Sequence, residues 1–220
     1  YPRNRHRAAG IVAGPCGGCA DLRPGVLAIA LAATLGLPGT GGAQAIRPDD
    51  QARLDHLDRA AGQALLRVLA TGSDEEITTA INALQGPAMV PNQALADALP
   101  GDWQCAMVKM GGELPLVAYP PFRCRIEARD GLLQFDKLTG SQRTSGTIRQ
   151  DGDRWIYLGS AFVQGGSPLP YEDFPARIDT GATETLPDVG VLEVTGQDSA
   201  RLILPLPYRE SVLNVLVLTR

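Results

Sequence analysis

The chain has 220 residues, of which 44% are hydrophobic, and its 20 Lys and Arg residues against 24 Asp and Glu residues give a net charge of −4. An acidic balance disfavours contact with phosphate backbones, which excludes a nucleic-acid-binding protein of the ordinary basic kind. The length is sufficient for a hydrophobic core that needs neither a metal nor several disulfides.

The first 45 residues have the pattern of a secretory signal peptide. A basic start is followed by an apolar run from Val26 to Leu37 and by small residues that end in Ala43-Gln44-Ala45. An apolar run of about 12 residues is too short to span a hydrocarbon core, which requires roughly 20. We therefore expect cleavage after Ala45 and a periplasmic or secreted mature protein without a membrane span. The basic residues of the start are Arg3, Arg5 and Arg7.

Other features of this leader bear on the mature protein. The chain begins with Tyr1 instead of Met, and we expect that its start is misassigned or truncated. Cys16 and Cys19 precede the apolar run, so we expect them to be removed with the leader and to have no function. Four of the 20 basic residues and one of the 24 acidic residues lie before residue 46, so the mature chain would have a net charge of about −7.

Two helices are predicted before residue 85. Apolar residues recur at spacings of three and four from Pro48 to Thr71, and a proline followed by two aspartates suits a helix N-terminus. Ser73 and Glu76 have the spacing of a capping box, which predicts a second helix that ends at Leu84. A two-helix hairpin buries little surface alone, so we expect it to pack on the domain that follows.

After residue 100 the pattern changes to the period of two that is typical of β-strands, with Gly-Gly and Asp-Gly pairs at the turns. Short hairpin-linked strands favour an antiparallel meander, closed as a barrel or folded as a sandwich. We predict an α+β protein with a helical hairpin and linker over residues 46–100 and an antiparallel β-domain over residues 101–220. The predicted strands are Trp103–Met110, Pro115–Tyr119, Phe122–Ala128, Leu132–Leu138, Ser145–Arg149, Arg154–Val163, Val189–Val194, Arg201–Leu204 and Val212–Leu218.

The mature chain retains two cysteines, Cys105 and Cys124. In an oxidising compartment such a pair is expected to be bridged. The bridge would close a loop of about 20 residues, for which chain-entropy estimates give roughly 3 kcal/mol of stabilisation. We predict a structural disulfide between early strands.

Two segments are candidate ligand sites. The first is the turn Lys137–Gly146, in which Lys137, Ser141, Arg143 and Thr144 combine cations, hydroxyls and exposed backbone N–H groups suited to a small anion or carboxylate. Its alternative is a hairpin connection whose hydroxyls satisfy its own backbone. The second is Tyr119-Pro120-Pro121-Phe122, an aromatic rim suited to ligand contact, whose alternative is a cap on the core.

Catalytic chemistry has little support in the sequence. After leader removal the one remaining histidine is His56, within the first predicted helix, and no zinc-type ligand set remains, so we predict no metal site and no cofactor. A hydrolase-type enzyme using carboxylates or the Lys137–Gly146 turn stays as an alternative. The candidate carboxylates are Glu127, Asp130, Asp136 and Asp173, the last in a long aperiodic loop over Gly165–Pro187.

The motif Gly101-Asp102-Trp103 resembles the first-strand motif of lipocalin-like barrels and of small periplasmic barrels that inhibit metalloproteases. In those families the Trp plugs one barrel end, often under an Arg from the last strand. The resemblance implies this place for Trp103, with Arg209 or Arg220 as its partner.

A second resemblance covers nearly the whole mature chain. The segment Arg47–Asp58 is followed by the runs G-D-W-Q-C, L-P-L-V-A-Y-P-P-F-R-C-R-I and F-D-K-L-T-G-S-Q-R-T-S-G. Together they resemble an exported proteobacterial family, the domain-of-unknown-function family 4893. The resemblance implies export and carries no assigned activity.

The function expected from these features is that of a periplasmic, non-catalytic binding or interaction module. Its partner would be a small ligand or another envelope protein, and not a nucleic acid. An envelope structural protein is the third possibility. A closed eight-stranded barrel has an interior mostly filled by side chains, so a site at the rim or on the outer surface is favoured over a large lipid pocket.

Overall fold

The structure is a computed structural model and describes residues 45–220. The predicted signal peptide, apart from Ala45, lies outside the described residues, as do Cys16 and Cys19. The described part begins with four helices, and every later regular element except one short 3-10 helix is a strand. The helices are α1 (Pro48–Asp55), α2 (Leu57–Thr71), α3 (Asp74–Leu84) and α4 (Gln93–Ala98).

The predicted first helix is interrupted at His56, whose φ of −99° and ψ of 12° separate α1 from α2. The second predicted helix is confirmed with its capping box, since Ser73 accepts from the Glu76 N–H and the Glu76 side chain accepts from the Ser73 N–H. Helix α4 was not predicted, because three prolines surround its six residues. The Asn92 side chain caps it by accepting from the Leu95 N–H at 3.0 Å.

Nine antiparallel strands follow in the described part of the chain, close to the predicted positions. They are β1 (Gly101–Met110), β2 (Leu116–Ala118), β3 (Phe122–Arg129), β4 (Leu132–Lys137), β5 (Gln142–Asp151), β6 (Arg154–Val163), β7 (Leu186–Gly196), β8 (Ser199–Pro205) and β9 (Leu213–Thr219). Between β6 and β7 the long loop contains the 3-10 helix Tyr171–Asp173.

Eight of these strands close into a barrel. Successive strands from β3 to β9 pair as neighbours, and β1 pairs with β3 through residues 101–105 and with β9 through residues 104–110. Strand β2 pairs only with the second half of β1. The fold is therefore α+β, with helices followed by a closed antiparallel barrel and not a sandwich, and closure leaves the eight barrel strands without a free edge.

Alternation along the strands separates an inner core from two outer clusters. Trp103, Phe135 and Tyr157 belong to the buried cluster inside the barrel. Helices α2 and α3 bury Ala64, Val68 and Ala80 on the outer face of β1, β8 and β9. Helix α1 and the long loop cover the outer face of β6 and β7, and the residues buried there are Leu54, Ile156, Leu158, Tyr171, Phe174, Val189 and Val191.

One end of the barrel is plugged. Trp103 is buried there and donates from Nε1 to the Leu99 carbonyl at 3.0 Å. The Arg220 guanidinium lies 4.0 Å from the centre of the indole ring and also donates to the Leu99 carbonyl at 2.5 Å. Of the two arginines expected as partners, Arg220 occupies this place, whereas Arg209 lies near the opposite end.

The predicted disulfide is confirmed. Cys105 and Cys124 are bonded, with their Cα atoms 5.9 Å apart, and both side chains are buried in the inner core. The bond joins β1 to β3 beside Trp103, which pairs in register with Cys124. It therefore reinforces the strand pair next to the plugged end.

Candidate ligand-binding site

The end of the barrel opposite Trp103 is open and contains a cavity of about 120 Å³. Its wall comes from the ends of seven barrel strands, from the end of the long loop and from the loop between β8 and β9. The apolar part of the lining is Met107, Ala161, Phe162, Val163, Leu186, Pro187, Leu204, Pro207 and Tyr208, and the polar part is Lys109, Lys137, Gln142, Arg143, Thr144, Glu184, Asp188, Arg209, Glu210 and Asn214.

Inside the cavity a chain of hydrogen bonds ends at Asp188. Thr144 Oγ1 donates to Asp188 Oδ2 at 2.7 Å and lies 2.7 Å from Tyr157 Oη. Since the one hydroxyl proton of Thr144 goes to the carboxylate, Tyr157 is the donor to Thr144. Burial raises the pKa of Asp188 and raises the pKa of Tyr157 well above its ordinary value.

Lys137, the last residue of β4, also lines the cavity. Its Nζ donates to the Thr139 carbonyl at 2.9 Å and to the Gln142 carbonyl at 2.6 Å, and it lies 3.6 Å from the centre of the Phe122 ring. Burial and, to a smaller extent, the nearby positive charges of Arg143 and Lys109 together lower the pKa of Lys137 to about 8.

A second lysine in the wall has a carboxylate partner. Lys109 forms an ion pair with Glu210, and its Nζ donates to Gln142 Oε1 at 2.7 Å. The hydrogen bond from Lys109 lowers the pKa of Glu210, and Gln142 supports the same carboxylate with a contact of 3.1 Å. The charge of Lys109 is thus already compensated within the protein.

Arg209 connects two loops at the open end of the barrel. Its side chain donates hydrogen bonds to the carbonyls of Thr180 and Thr183 at 2.8 and 3.0 Å. These bonds join the loop between β8 and β9 to the end of the long loop. The segment that carries Glu184 is therefore held at the mouth of the cavity.

Comparison with known families gives one assignment. The sequence model of the family described as "Domain of unknown function (DUF4893)" matches residues 43–218. The chain belongs to this family. Neither the curated proteins nor the solved structures yield a match. Among residues 45–220 of this DUF4893 protein, no helix combines the length and apolarity that crossing a membrane requires.

The first motif of the DUF4893 chain, Arg47–Asp58, forms a buried ion cluster. Asp50 accepts from Arg47 at 2.9 Å and from Arg53 at 3.0 Å. Arg47 also donates to the Pro175 carbonyl, and Arg53 donates to the Pro187 carbonyl beside Asp188. This motif therefore fixes α1 against the long loop and against the strand that supplies the cavity carboxylate.

The structure brings together three of the six predicted ligand residues of the DUF4893 chain. Lys137, Arg143 and Thr144 line the cavity, although they were selected only as members of one turn. Phe122 does not line the cavity. It is half-buried and packs against the core, and its ring contacts the ammonium group of Lys137. Ser141 is exposed and outside the cavity wall.

The remaining predicted residue, Tyr119, lies in a neighbouring groove with Glu113, Leu114 and Val117. Its ring centre is 6.5 Å from that of Phe122 and 5.6 Å from Lys109 Nζ. The cavity and this groove share Lys109 and Glu210.

Sequence reasoning missed Lys109, Asp188 and Asn214. Each is a polar residue on the inward-facing half of an otherwise apolar strand, and each is buried. That departure from strict alternation is the signal that would have identified them.

The candidate catalytic carboxylates do not converge on the cavity. Asp136 alternates with the inward Phe135 and Lys137, so it faces outward, where it accepts from Ser145 at 2.6 Å. Asp173 is exposed, and so is His56 at the break between α1 and α2. Throughout residues 45–220, no cluster of His, Cys, Asp and Glu has the arrangement of a metal site.

Proposed function

We propose that this DUF4893 protein is an exported, non-catalytic binding protein that holds a small acidic ligand in the open end of its barrel. The observation that carries this proposal is Lys137, a buried ammonium group in the cavity wall without a carboxylate partner among residues 45–220. A ligand carboxylate or similar anion would supply the missing charge.

The dimensions of the cavity limit the ligand. Drug-sized ligands occupy pockets of roughly 300–1,000 Å³, whereas an apolar cavity of about 150 Å³ holds benzene. A cavity of about 120 Å³ therefore suits a molecule of roughly six to eight non-hydrogen atoms. The apolar lining would contact its carbon atoms, and Lys137 with Arg143 would contact its acidic group.

The direct test is calorimetry with butyrate against butanol on the purified protein. We expect butyrate to bind and butanol to bind at least tenfold more weakly, because a charge-assisted hydrogen bond contributes about 1.5–3 kcal/mol. The variant Lys137→Met should lose the preference for butyrate. The control Arg154→Met removes an exposed cation at the plugged end and should keep it.

The same measurement has an expected pH profile. Since the pKa of Lys137 is about 8, its positive charge is present below that pH and is lost above it. Butyrate affinity should therefore fall as the pH rises through about 8. Equal affinity for butyrate and butanol, or a flat profile between pH 7 and 9, would contradict the proposal.

Export is supported by the leader pattern of residues 1–45 and by the bonded Cys105–Cys124 pair, which suits an oxidising compartment. Mass spectrometry of the protein from the envelope fraction of an expressing bacterium tests it. We expect a mature chain that begins at Ile46, and an unprocessed chain in the cytosolic fraction alone would overturn this part.

A further inference from the structure

Buried charges in this protein are almost all paired. Seven charged side chains are buried among residues 45–220. Five of them have a direct ion-pair partner within the protein, as expected from the cost of burying an isolated charge. These five are Arg47, Asp50 and Arg53 in the α1 cluster, Lys109 with Glu210, and Arg201 with Glu193.

The two exceptions, Lys137 and Asp188, line the same cavity. Lys137 is matched by two backbone carbonyls and an aromatic ring. Asp188 is 94% buried, with a relative exposure of 6%, and receives the hydroxyl of Thr144. In the described part of the chain neither forms an ion pair, with each other or with a third residue.

Lys137 and Asp188 are thus two buried charges of opposite sign in one cavity, each without an ion-pair partner among residues 45–220, and a ligand with one charge of each sign would compensate both. We propose that the ligand is a small zwitterion, an amino acid with a short carbon skeleton, whose acidic group contacts Lys137 and whose ammonium group contacts Asp188. This inference rests on the proposed function, to which it adds the second charge of the ligand and the residue that binds it.

The surroundings of Asp188 suit an ammonium group. The chain Tyr157–Thr144–Asp188 holds Oδ2 by a hydroxyl donor and so fixes the orientation of the carboxylate. An arriving ammonium would provide donors that a carboxylate accepts strongly in a buried place. Burial raises the pKa of Asp188 and the negative charge of Asp50 acts in the same direction, while the positive charge of Arg53 and the hydrogen bond from Thr144 offset part of the rise. An ammonium group would favour the ionised form of Asp188, so binding should release protons where Asp188 is partly protonated.

The experiment compares butyrate, butylamine and a series of ω-amino acids (glycine, β-alanine, 4-aminobutyrate and 5-aminopentanoate) by calorimetry on the purified protein. The chain length of the tightest binder measures the span between the two charges. We expect that member to bind about tenfold to a hundredfold more tightly than butyrate, since each charge-assisted contact adds to affinity.

Variants assign each charge. Asp188→Asn keeps the side-chain volume and the acceptor for Thr144. This variant should bind the best amino acid only as tightly as it binds butyrate. Lys137→Met should bind the same amino acid only as tightly as it binds butylamine. Asp173→Asn, which removes an exposed carboxylate outside the cavity wall, should leave all affinities unchanged.

Proton release is a second readout that needs no variant. Titration of the wild-type protein at a mildly acidic pH, at which butyrate itself remains ionised, in two buffers of different ionisation enthalpy should show protons released by the amino acid and not by butyrate. If butyrate binds and no amino acid binds more tightly, or if Asp188→Asn keeps the preference, the zwitterion is wrong and the acid-binding function stands. If neither butyrate nor any amino acid binds, both proposals fail.

Discussion

Tyr171 donates a hydrogen bond of 2.7 Å to Asp50, which lies 121 positions earlier in the chain. The carboxylate that accepts it is completely buried and also holds Arg47 and Arg53. One side chain thus joins α1 to the long loop, and through Arg53 it joins both to the strand that carries Asp188.

Asp50→Asn should strongly destabilise the protein, because it leaves two buried guanidinium groups without a counter-charge. Removing one partner of a buried ion cluster costs about 3–5 kcal/mol. Urea denaturation followed by circular dichroism measures the loss. Asp49→Asn, which changes an exposed carboxylate in the same helical turn, is the control, and equal stability of the two variants would contradict the role of the cluster.

Arg220→Ala should weaken the plugged end of the barrel. The substitution removes the cation over the Trp103 ring and the hydrogen bonds to the Leu99 and Pro100 carbonyls. We expect a loss of about 1–2 kcal/mol in the free energy of unfolding and a changed tryptophan signal in near-ultraviolet circular dichroism. Arg59→Ala, on the exposed side of α2, should change neither measurement.

Asp188→Asn should stabilise the protein in the absence of ligand, by about 1–3 kcal/mol at neutral pH, because it removes a buried carboxylate without an ion-pair partner. The folded-state pKa of Asp188 lies above its ordinary value of 3.8, so the wild type loses stability as the pH rises from 3.8 to the folded-state pKa. The stability difference between variant and wild type should grow across that interval. A difference that is independent of pH would show that Asp188 does not titrate as described.

Gly159→Ala should disrupt the barrel interior. A Cβ at this position would lie 2.3 Å from Tyr157 Oη and 2.4 Å from the Ser145 carbonyl oxygen. We expect a loss of about 1–3 kcal/mol or more by overpacking. Gly62→Ala is the matched substitution in helix α2, where a Cβ meets no atom within 4 Å. It should raise stability by about 0.5–1 kcal/mol, since alanine is the better helix former, and thermal unfolding of both variants tests the contrast.

The strands and caps of this protein could be predicted because they depend on neighbours in the chain. The period-two alternation located all nine strands of the described part, and the spacing of Ser73 and Glu76 located the start of α3. Helix α4 escaped prediction because six residues give too little periodicity to outweigh the surrounding prolines. The pattern also did not decide between a barrel and a sandwich.

Half of the predicted ligand residues line the cavity, and the direction in which each strand residue faces explains which half. Lys137 and Thr144 face inward because the alternation of β4 and β5 points them there, whereas Ser141 precedes β5 and remains outside. The sequence predicted that these residues share one turn over Lys137–Gly146, but that extent is wrong, because Lys137 ends β4 whereas Arg143 and Thr144 belong to β5. The sequence did not indicate which side of the sheet would become the interior.

By itself, the sequence determined the order of helices and strands and the two cysteines available for a bond, since each depends on residues a few positions apart. Only the tertiary structure decided that β1 meets β9, that Arg220 covers Trp103, and that Lys137 and Asp188 share a cavity. The physical reason is that barrel closure sets the register between distant strands, and this register determines which buried charges find a partner and which remain for a ligand.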